Sequence, residues 1–195
     1  MQKTTENIWQ GQFGDKYTIR NIKINPKRMD FWEKIVSKYH PENILEIGCN
    51  VGGNLSLVDI SPEQIFGLDI NKGALEILRT NYPQINAVYG TLFDNPFKDN
   101  FFDLVFTCGV LIHVRPDNLY KAMEEVVRTA KHYVLAMEYY ADYLHEIPYR
   151  KAPHALFKGP YGRIYQRDFG LDLLETGLLG TSEGFDNVVY WILRK

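Results

Sequence analysis

One stretch constrains the fold of this chain more than any other: ILEIGCNVGGN, Ile44 to Asn54. An apolar-rich run passes straight into a glycine-spaced turn, and a strand ending in such a turn presents backbone amides to a ligand. Asp69, in FGLDIN, follows 21 positions after Gly48. That is close to the separation at which a second parallel strand offers a carboxylate to ribose hydroxyls. The pair predicts a nucleoside-containing ligand. A dinucleotide site wants glycine at the middle of G-x-G-x-x-G, so that the backbone can close on a pyrophosphate. Here that place is taken by Asn50, which disfavours a nicotinamide-dependent oxidoreductase. The full pattern is Glu46-x-Gly48-x-Asn50-x-Gly52, with an acid inside the strand.

Strand-like and helical periods alternate around this core. Asn25-Pro26 reads as a helix start, with Met29, Trp32, Ile35, Val36 and Tyr39 on one face before Pro41. Strands are predicted at 43–47, 64–70, 85–89, 101–107 and 132–138, the fifth excluding Lys131. Helices are predicted near Gly52, after an Asn71 cap, over 116–129 and over 168–175, with a closing strand near 187–193. The run FFDLVFT, Phe101 to Thr107, is nearly all apolar, as a parallel strand covered on both faces requires. The alternation predicts a doubly wound, mostly parallel α/β sheet, Rossmann-like, with helices on both faces and ligands at its carboxyl end.

Two segments fall outside this alternation. Residues 9–21 carry aromatics at 9, 13 and 17 but glycines at 11 and 14, and residues 139–167 have no clear period. Both read as lids over a substrate. At 195 residues and 45% hydrophobic, the chain is expected to form one domain, 1–195. A net charge of −2 gives no general attraction to polyanions, so no nucleic-acid partner is expected. Cys49 and Cys108 stand far apart without a C-x-x-C pair, which supports neither a metal site nor a disulfide. The polar N-terminus, and the absence of any apolar run near ~18 residues, predict a cytoplasmic protein without a membrane partner, monomer or homodimer.

These motifs resemble class I S-adenosylmethionine-dependent methyltransferases over nearly the whole sequence. The first motif of that family is usually E/D-x-G-x-G-x-G, and GLDIN resembles its second. YGTLFDNPF, Tyr89 to Phe97, sits where the third contacts adenine, and FDLVFTCGVLIHV, Phe102 to Val114, resembles the fourth and its following loop. The resemblance implies S-adenosylmethionine as cofactor, with S-adenosylhomocysteine as product. It implies contacts from Glu46, Gly48, Cys49, Asn50, Gly52, Asp69, Ile70, Asn71, Thr91, Leu92, Cys108, Gly109 and Val110. Asp69 would hold the ribose diol, and Thr91 stands where many relatives have the Asp that accepts the adenine amine. No N/D-P-P-Y/F follows the fourth motif, which argues against amino methylation of DNA bases or of protein glutamine.

A narrower resemblance is to small methyltransferases associated with pseudaminic acid biosynthesis and similar surface-polysaccharide clusters. It rests on W-x-G-x-F-G-x-x-Y-x-x-R-N, here Trp9 to Asn21, on EIPYR, Glu146 to Arg150, and on RDF, Arg167 to Phe169. It implies a small polar acceptor, a sugar or sugar nucleotide, methylated on oxygen or nitrogen. A protein or RNA acceptor is the alternative within the same fold. Trp9, Phe13, Tyr17, Arg20, Glu138, Tyr149 and Arg150 are the expected acceptor contacts. Arg150, Lys151, Lys158, Arg163 and Arg167 outnumber Asp142 and Glu146 in 139–167, which suggests that the acceptor is anionic. His113 is the first candidate for a base, because histidine titrates near neutrality. Glu138, His145 and His154 are weaker candidates.

Overall fold

The structure, a computed structural model, describes residues 5–150 and 154–195. A seven-stranded sheet runs in the order β3-β2-β1-β4-β5-β9-β8. Its strands are β1 (Ile44–Ile47), β2 (Ile65–Asp69), β3 (Asn86–Tyr89), β4 (Phe102–Cys108), β5 (Ala130–Glu138), β8 (Asp172–Leu179) and β9 (Val188–Arg194). β1 to β5 pair in parallel, and β9 is antiparallel to both β5 and β8. The doubly wound arrangement expected from the alternation is present.

The apolar run in β4 has the predicted cause. Phe102 and Val105 enter one core with Val134, Ala136, Met123 and Tyr165, while Leu104 and Phe106 enter the other with Leu135, Trp32 and Leu78. Helices α3 (Met29–Tyr39) and α4 (Lys72–Asn81) supply the second face, and α5 (Pro116–Thr129) and α6 (Tyr161–Phe169) the first. Fully burying one such aliphatic or aromatic side chain contributes roughly 1.5–3 kcal/mol. Asn71 caps α4 as expected, its side chain accepting from the Ala74 amide at 2.9 Å.

Several boundaries differ from the sequence reading. No α-helix follows β1; Gly52 sits at φ +78, and only a short 3-10 turn, Leu55–Leu57, forms before Ser61 and Pro62. Asn25 caps a 3-10 turn, Pro26–Arg28, ahead of α3, and Met29 is exposed where Phe31 is buried. β5 begins at Ala130 and so includes Lys131, which the sequence excluded; its exposed Lys131 and His132 masked the strand. The helix expected at 168–175 lies earlier, at 161–169, and ends at Gly170 with φ +68. From Asp172 the chain pairs with β9, and that cross-strand pairing overrides the helical propensity of Leu and Glu. Within 139–167, a two-stranded hairpin of β6 (His145–Glu146) and β7 (Phe157–Lys158) precedes α6. Lys151 lies outside the described residues.

The N-terminal segment is helical, as α1 (Thr5–Trp9) and α2 (Gln12–Arg20). Gly14 makes this possible. A Cβ there would lie 1.9 Å from the Trp9 carbonyl oxygen and 2.8 Å from Asn71 Nδ2.

Candidate active site

The turn after β1 is held against β2 by two backbone bonds, from Gly48 and Cys49 amides to the Leu68 carbonyl at 2.7 and 3.1 Å. Gly48 has φ +75, and a Cβ there would lie 2.4 Å from a Val110 methyl. Asn50 follows at φ +49. Asparagine is among the side chains that tolerate this left-handed region, and its side-chain oxygen accepts from the Thr18 hydroxyl at 3.0 Å. The departure from the usual glycine is thereby explained: the asparagine keeps the turn and ties it to α2.

Asp69, at the end of β2, accepts from the Asn50 amide through Oδ2 and from the Asn71 amide through Oδ1, both at 2.7 Å. Burial raises its pKa, and the amides of Asn71, Asn50 and Ile70 oppose the rise. The two carboxylate oxygens together have four lone pairs, so with three amides engaged at least one remains for an incoming hydroxyl. Asp69 is thus presented to the cavity in a fixed orientation.

Glu46 is 2% exposed. Its Oε1 accepts from Asn54 Nδ2 at 2.7 Å, while Oε2 is buried with no hydrogen-bond partner among the described residues. Desolvation pushes its pKa up to about 8, against the pull of Asn54 and Arg28. Arg28 completes the group, donating to Asn54 Oδ1 and to the Gly184 carbonyl, both at 2.9 Å. An acid with a spare oxygen and a guanidinium lie together at one end of the cavity. They match the ammonium and carboxylate of an amino-acid zwitterion.

The helical pair α1–α2 covers this site. Asn71 Nδ2 donates to the Trp9 carbonyl and to Asp15 Oδ1, at 3.1 and 3.0 Å. Thr91 donates its hydroxyl to Glu6, and Gln10 donates to the Tyr89 hydroxyl at 3.3 Å. Trp9 then packs on His113 with centroids 4.5 Å apart, and on Phe13 and Tyr17 at 5.3 Å each. Tyr149 joins from the other segment, 5.6 Å from His113 and 6.1 Å from Phe13.

The loop after β4 forms the remaining wall. His113 is buried, and its Nδ1 lies 2.5 Å from the Ala155 carbonyl oxygen, so that nitrogen carries the proton. Desolvation lowers its pKa to about 4, which corrects the expectation of titration near neutrality. The ring is neutral at pH 7, and Nε2 keeps its lone pair. Glu138 does not face the cavity. It is fully buried beneath this loop and accepts from the amides of Val110, Leu111 and Ile112 at 3.2–3.3 Å.

The cavity has a volume of ≈ 490 Å³, within the usual range for small-molecule sites. Of the expected cofactor contacts, all but Gly52 line it; Gly52 instead packs toward Leu78. Trp9, Tyr17, Arg20, Tyr149 and Arg150 line it as well, whereas Phe13 supports Trp9 and Tyr149 from behind. The basic excess in 139–167 does not converge here. Arg163 and Arg167 make surface pairs with Asp142 and Asp168, and Lys158 lies over the Tyr139 ring outside this cavity. His145 and His154 also lie elsewhere, bonded to the Tyr143 carbonyl and to Glu146. Sequence reasoning missed Glu6, Thr18, Arg28, Asn54 and Asp186, which all line the cavity. Arg28 was read only as part of a helix start. Glu6 and Asp186 carry no local signal, since only the fold brings them to the site. Among the described residues no group of His, Cys, Asp or Glu could hold a metal ion, and no helix is long and apolar enough to cross a membrane.

Residues 45–134 match the sequence model of a family described as a methyltransferase domain. A demethylmenaquinone methyltransferase of Bacillus licheniformis is 34% identical over 93 residues, 45% of this chain and 39% of that protein. A probable S-adenosylmethionine-dependent methyltransferase of Mycolicibacterium smegmatis is 24% identical over 83 residues, 43% of this chain and 32% of its own. The chain therefore spans well under half the length of these curated relatives. Similar solved structures include magnesium protoporphyrin IX methyltransferase of Synechocystis PCC 6803 with bound S-adenosylmethionine, at TM-score 0.69 and 14% identity over 99% of this chain and 98% of that one. An S-adenosylmethionine-dependent methyltransferase from Aquifex aeolicus superposes at TM-score 0.67, with 13% identity over 92% and 97% of the two chains. Residues 45–134 thus match a methyltransferase domain, and the described chain has the fold of these S-adenosylmethionine-dependent methyltransferase structures.

Proposed function

We propose that this chain moves the methyl group of S-adenosylmethionine to an oxygen or nitrogen of a small polar, anionic metabolite, a sugar or sugar nucleotide of bacterial surface-glycan biosynthesis. The observation that carries the cofactor half is Asp69, held in the cavity wall by backbone amides with a lone pair to spare. When bound, the cofactor supplies a methyl already activated on a sulfonium. The chain's own residues therefore have chiefly to bind, align and exclude water.

In this reading Asp69 accepts the ribose hydroxyls, and Thr91 and Leu92 flank the adenine. The unpartnered Oε2 of Glu46 accepts the ammonium of the methionine half, and Arg28 faces its carboxylate. Trp9, Tyr17 and Tyr149 close the acceptor side and offer flat faces to a sugar ring. His113 Nε2 accepts from the acceptor's reacting hydroxyl or amine and aims its lone pair. Arg20 and Arg150 on the cavity wall suit a phosphate or carboxylate. The acceptor class is supported by where the W-x-G-x-F-G and EIPYR residues fall: Trp9, Tyr17, Tyr149 and Arg150 converge on one cavity wall from two segments. On this reading residues 9–21 and 139–167 act as lids of a single domain, with no nucleic-acid or membrane partner, in the cytoplasm.

Calorimetry with S-adenosylhomocysteine tests the cofactor half. Asp69→Ala should weaken binding by roughly tenfold to over a hundredfold, with circular dichroism unchanged. Equal affinity in a folded variant would remove the reading. For the acceptor half, transfer of a labelled methyl to nucleotide sugars is expected. Label appearing only on protein or RNA would overturn it.

A further inference from the structure

We propose that Glu6, on the N-terminal helix α1, is the group that recognises the exocyclic amine of the cofactor's adenine. The inference rests on the cofactor reading above and goes beyond it, because Glu6 lies outside every cofactor motif.

The geometry begins at Thr91, just past the end of β3. Its hydroxyl proton is committed to Glu6 Oε1, and its oxygen already accepts from the Phe93 amide at 3.2 Å. Thr91 thus spends its donor on orienting a carboxylate. Glu6 is half-buried and lines the cavity beside Gly90, Thr91, Leu92 and Phe93. Among the described residues its Oε2 has no hydrogen-bond partner, so Oε2 and a lone pair of Oε1 remain for a second donor.

Among the described residues four carboxylates line the cavity: Glu6, Glu46, Asp69 and Asp186. Asp69 is assigned to the ribose. Glu46 lies within β1, bonded to Asn54 at the far side of the turn. Asp186 acts electrostatically on Tyr17 and Tyr139 at the acceptor end. Glu6 is the one that stands at the β3 end, where a base extending from a ribose at Asp69 comes to rest. A carboxylate there takes a hydrogen bond from a 6-amino group and repels a 6-oxo group. The arrangement selects adenosine over inosine. Because Glu6 belongs to the covering helix, base recognition and closure of residues 5–21 become one event. Four further polar contacts hold the same segment to the cofactor side: Thr18 to Asn50, Asn71 to Asp15 and to the Trp9 carbonyl, and Gln10 to Tyr89.

The test compares S-adenosylhomocysteine with S-inosylhomocysteine by calorimetry. Wild type should prefer the adenosine compound by at least about tenfold, as expected for a charged hydrogen bond lost. Glu6→Gln should narrow that preference to within about threefold, because an amide can accept from the amine or donate to the oxo group. Glu6→Ala should weaken the adenosine compound about tenfold and leave the inosine compound little changed. Gln10→Ala removes a neighbouring helix contact without touching the base, and should preserve the preference. If Glu6→Gln discriminates as strongly as wild type, or if Gln10→Ala loses discrimination equally, Glu6 is only a latch for the helix and the inference is wrong. If wild type binds neither compound, the cofactor reading falls first and this inference with it.

Discussion

Burial decides what His113 can do. With a pKa of about 4 and Nδ1 turned to the Ala155 carbonyl, the imidazole is neutral through the physiological range and offers one lone pair. A base that weak removes little proton in advance of transfer. Its usefulness is directional, since the methyl acceptor must be in line with the sulfonium. His113→Ala should therefore lower kcat by roughly 10²-fold while S-adenosylhomocysteine affinity stays within about threefold. Any ascending limb of the kcat–pH profile near neutrality should survive the substitution. A limb near pH 6.5 that disappears in His113→Ala would restore the histidine as a titrating base. Asn50 makes the same point about context: read alone it is a departure from a glycine pattern, yet its left-handed φ and its bond with Thr18 let it keep the turn and tie it to α2.

At the scale of elements, the loop after β4 hangs on one side chain of the neighbouring strand. Three successive amides, of Val110, Leu111 and Ile112, point at the Glu138 carboxylate, and the next residue is His113. Burial pushes the Glu138 pKa up to about 7. The titratable groups that sense it are Cys108 on β4, Tyr139 beside it, and Tyr161 and Tyr165 on α6, none charged at neutrality. Ionised Glu138 holds all three amides, and protonated Glu138 holds them less well. A rise of kcat through about pH 7 is expected in wild type and should vanish in Glu138→Gln, with cofactor affinity changed less than kcat. Persistence of the limb in a folded Glu138→Gln would assign it elsewhere. The sequence placed Glu138 at the end of its strand but as an acceptor contact. Nothing in a strand end states whether its last side chain faces a cavity or the loop next door. The same limit explains the other elements. β1, β2, β4, α4 and α5 were legible because their periods and caps are local: Asn71 and Pro116 mark the starts of α4 and α5 that the structure keeps. β8 was not, since LDLLET favours a helix and only pairing with β9 makes it a strand. The cavity wall from α1 was not legible either. Glu6 meets Thr91 across 85 positions of chain, a distance no local pattern reports.

For the whole molecule, the site's buried acids set how stability depends on pH. Glu46 is raised from 4.5 to about 8 and Glu138 from 4.5 to about 7, in both cases chiefly by desolvation. The folded state therefore holds protons that the unfolded chain has already released. Their stabilising contribution is complete below pH 4.5 and is lost as pH rises through the folded values. His113 works in the opposite sense. Lowered from 6.5 to about 4, it contributes fully above pH 6.5 and loses that contribution as pH falls toward 4. The two tendencies oppose each other in the acid range and separate above pH 6.5, where only the carboxyls still titrate. One group costs about 1.4 kcal/mol per pH unit there, so these two together should remove roughly 2–3 kcal/mol between pH 6.5 and 8. Urea unfolding at the two pH values reads this as a lower midpoint at pH 8 with an unchanged slope. Glu46→Gln, which cannot ionise, should abolish most of the fall. Saturating S-adenosylhomocysteine should do the same from the other direction, because an ammonium beside Glu46 favours its carboxylate in the folded state. A wild-type midpoint that stays level or rises across this window would mean that Glu46 is already ionised in the folded protein, and binding of the cofactor's ammonium would then release no proton from it.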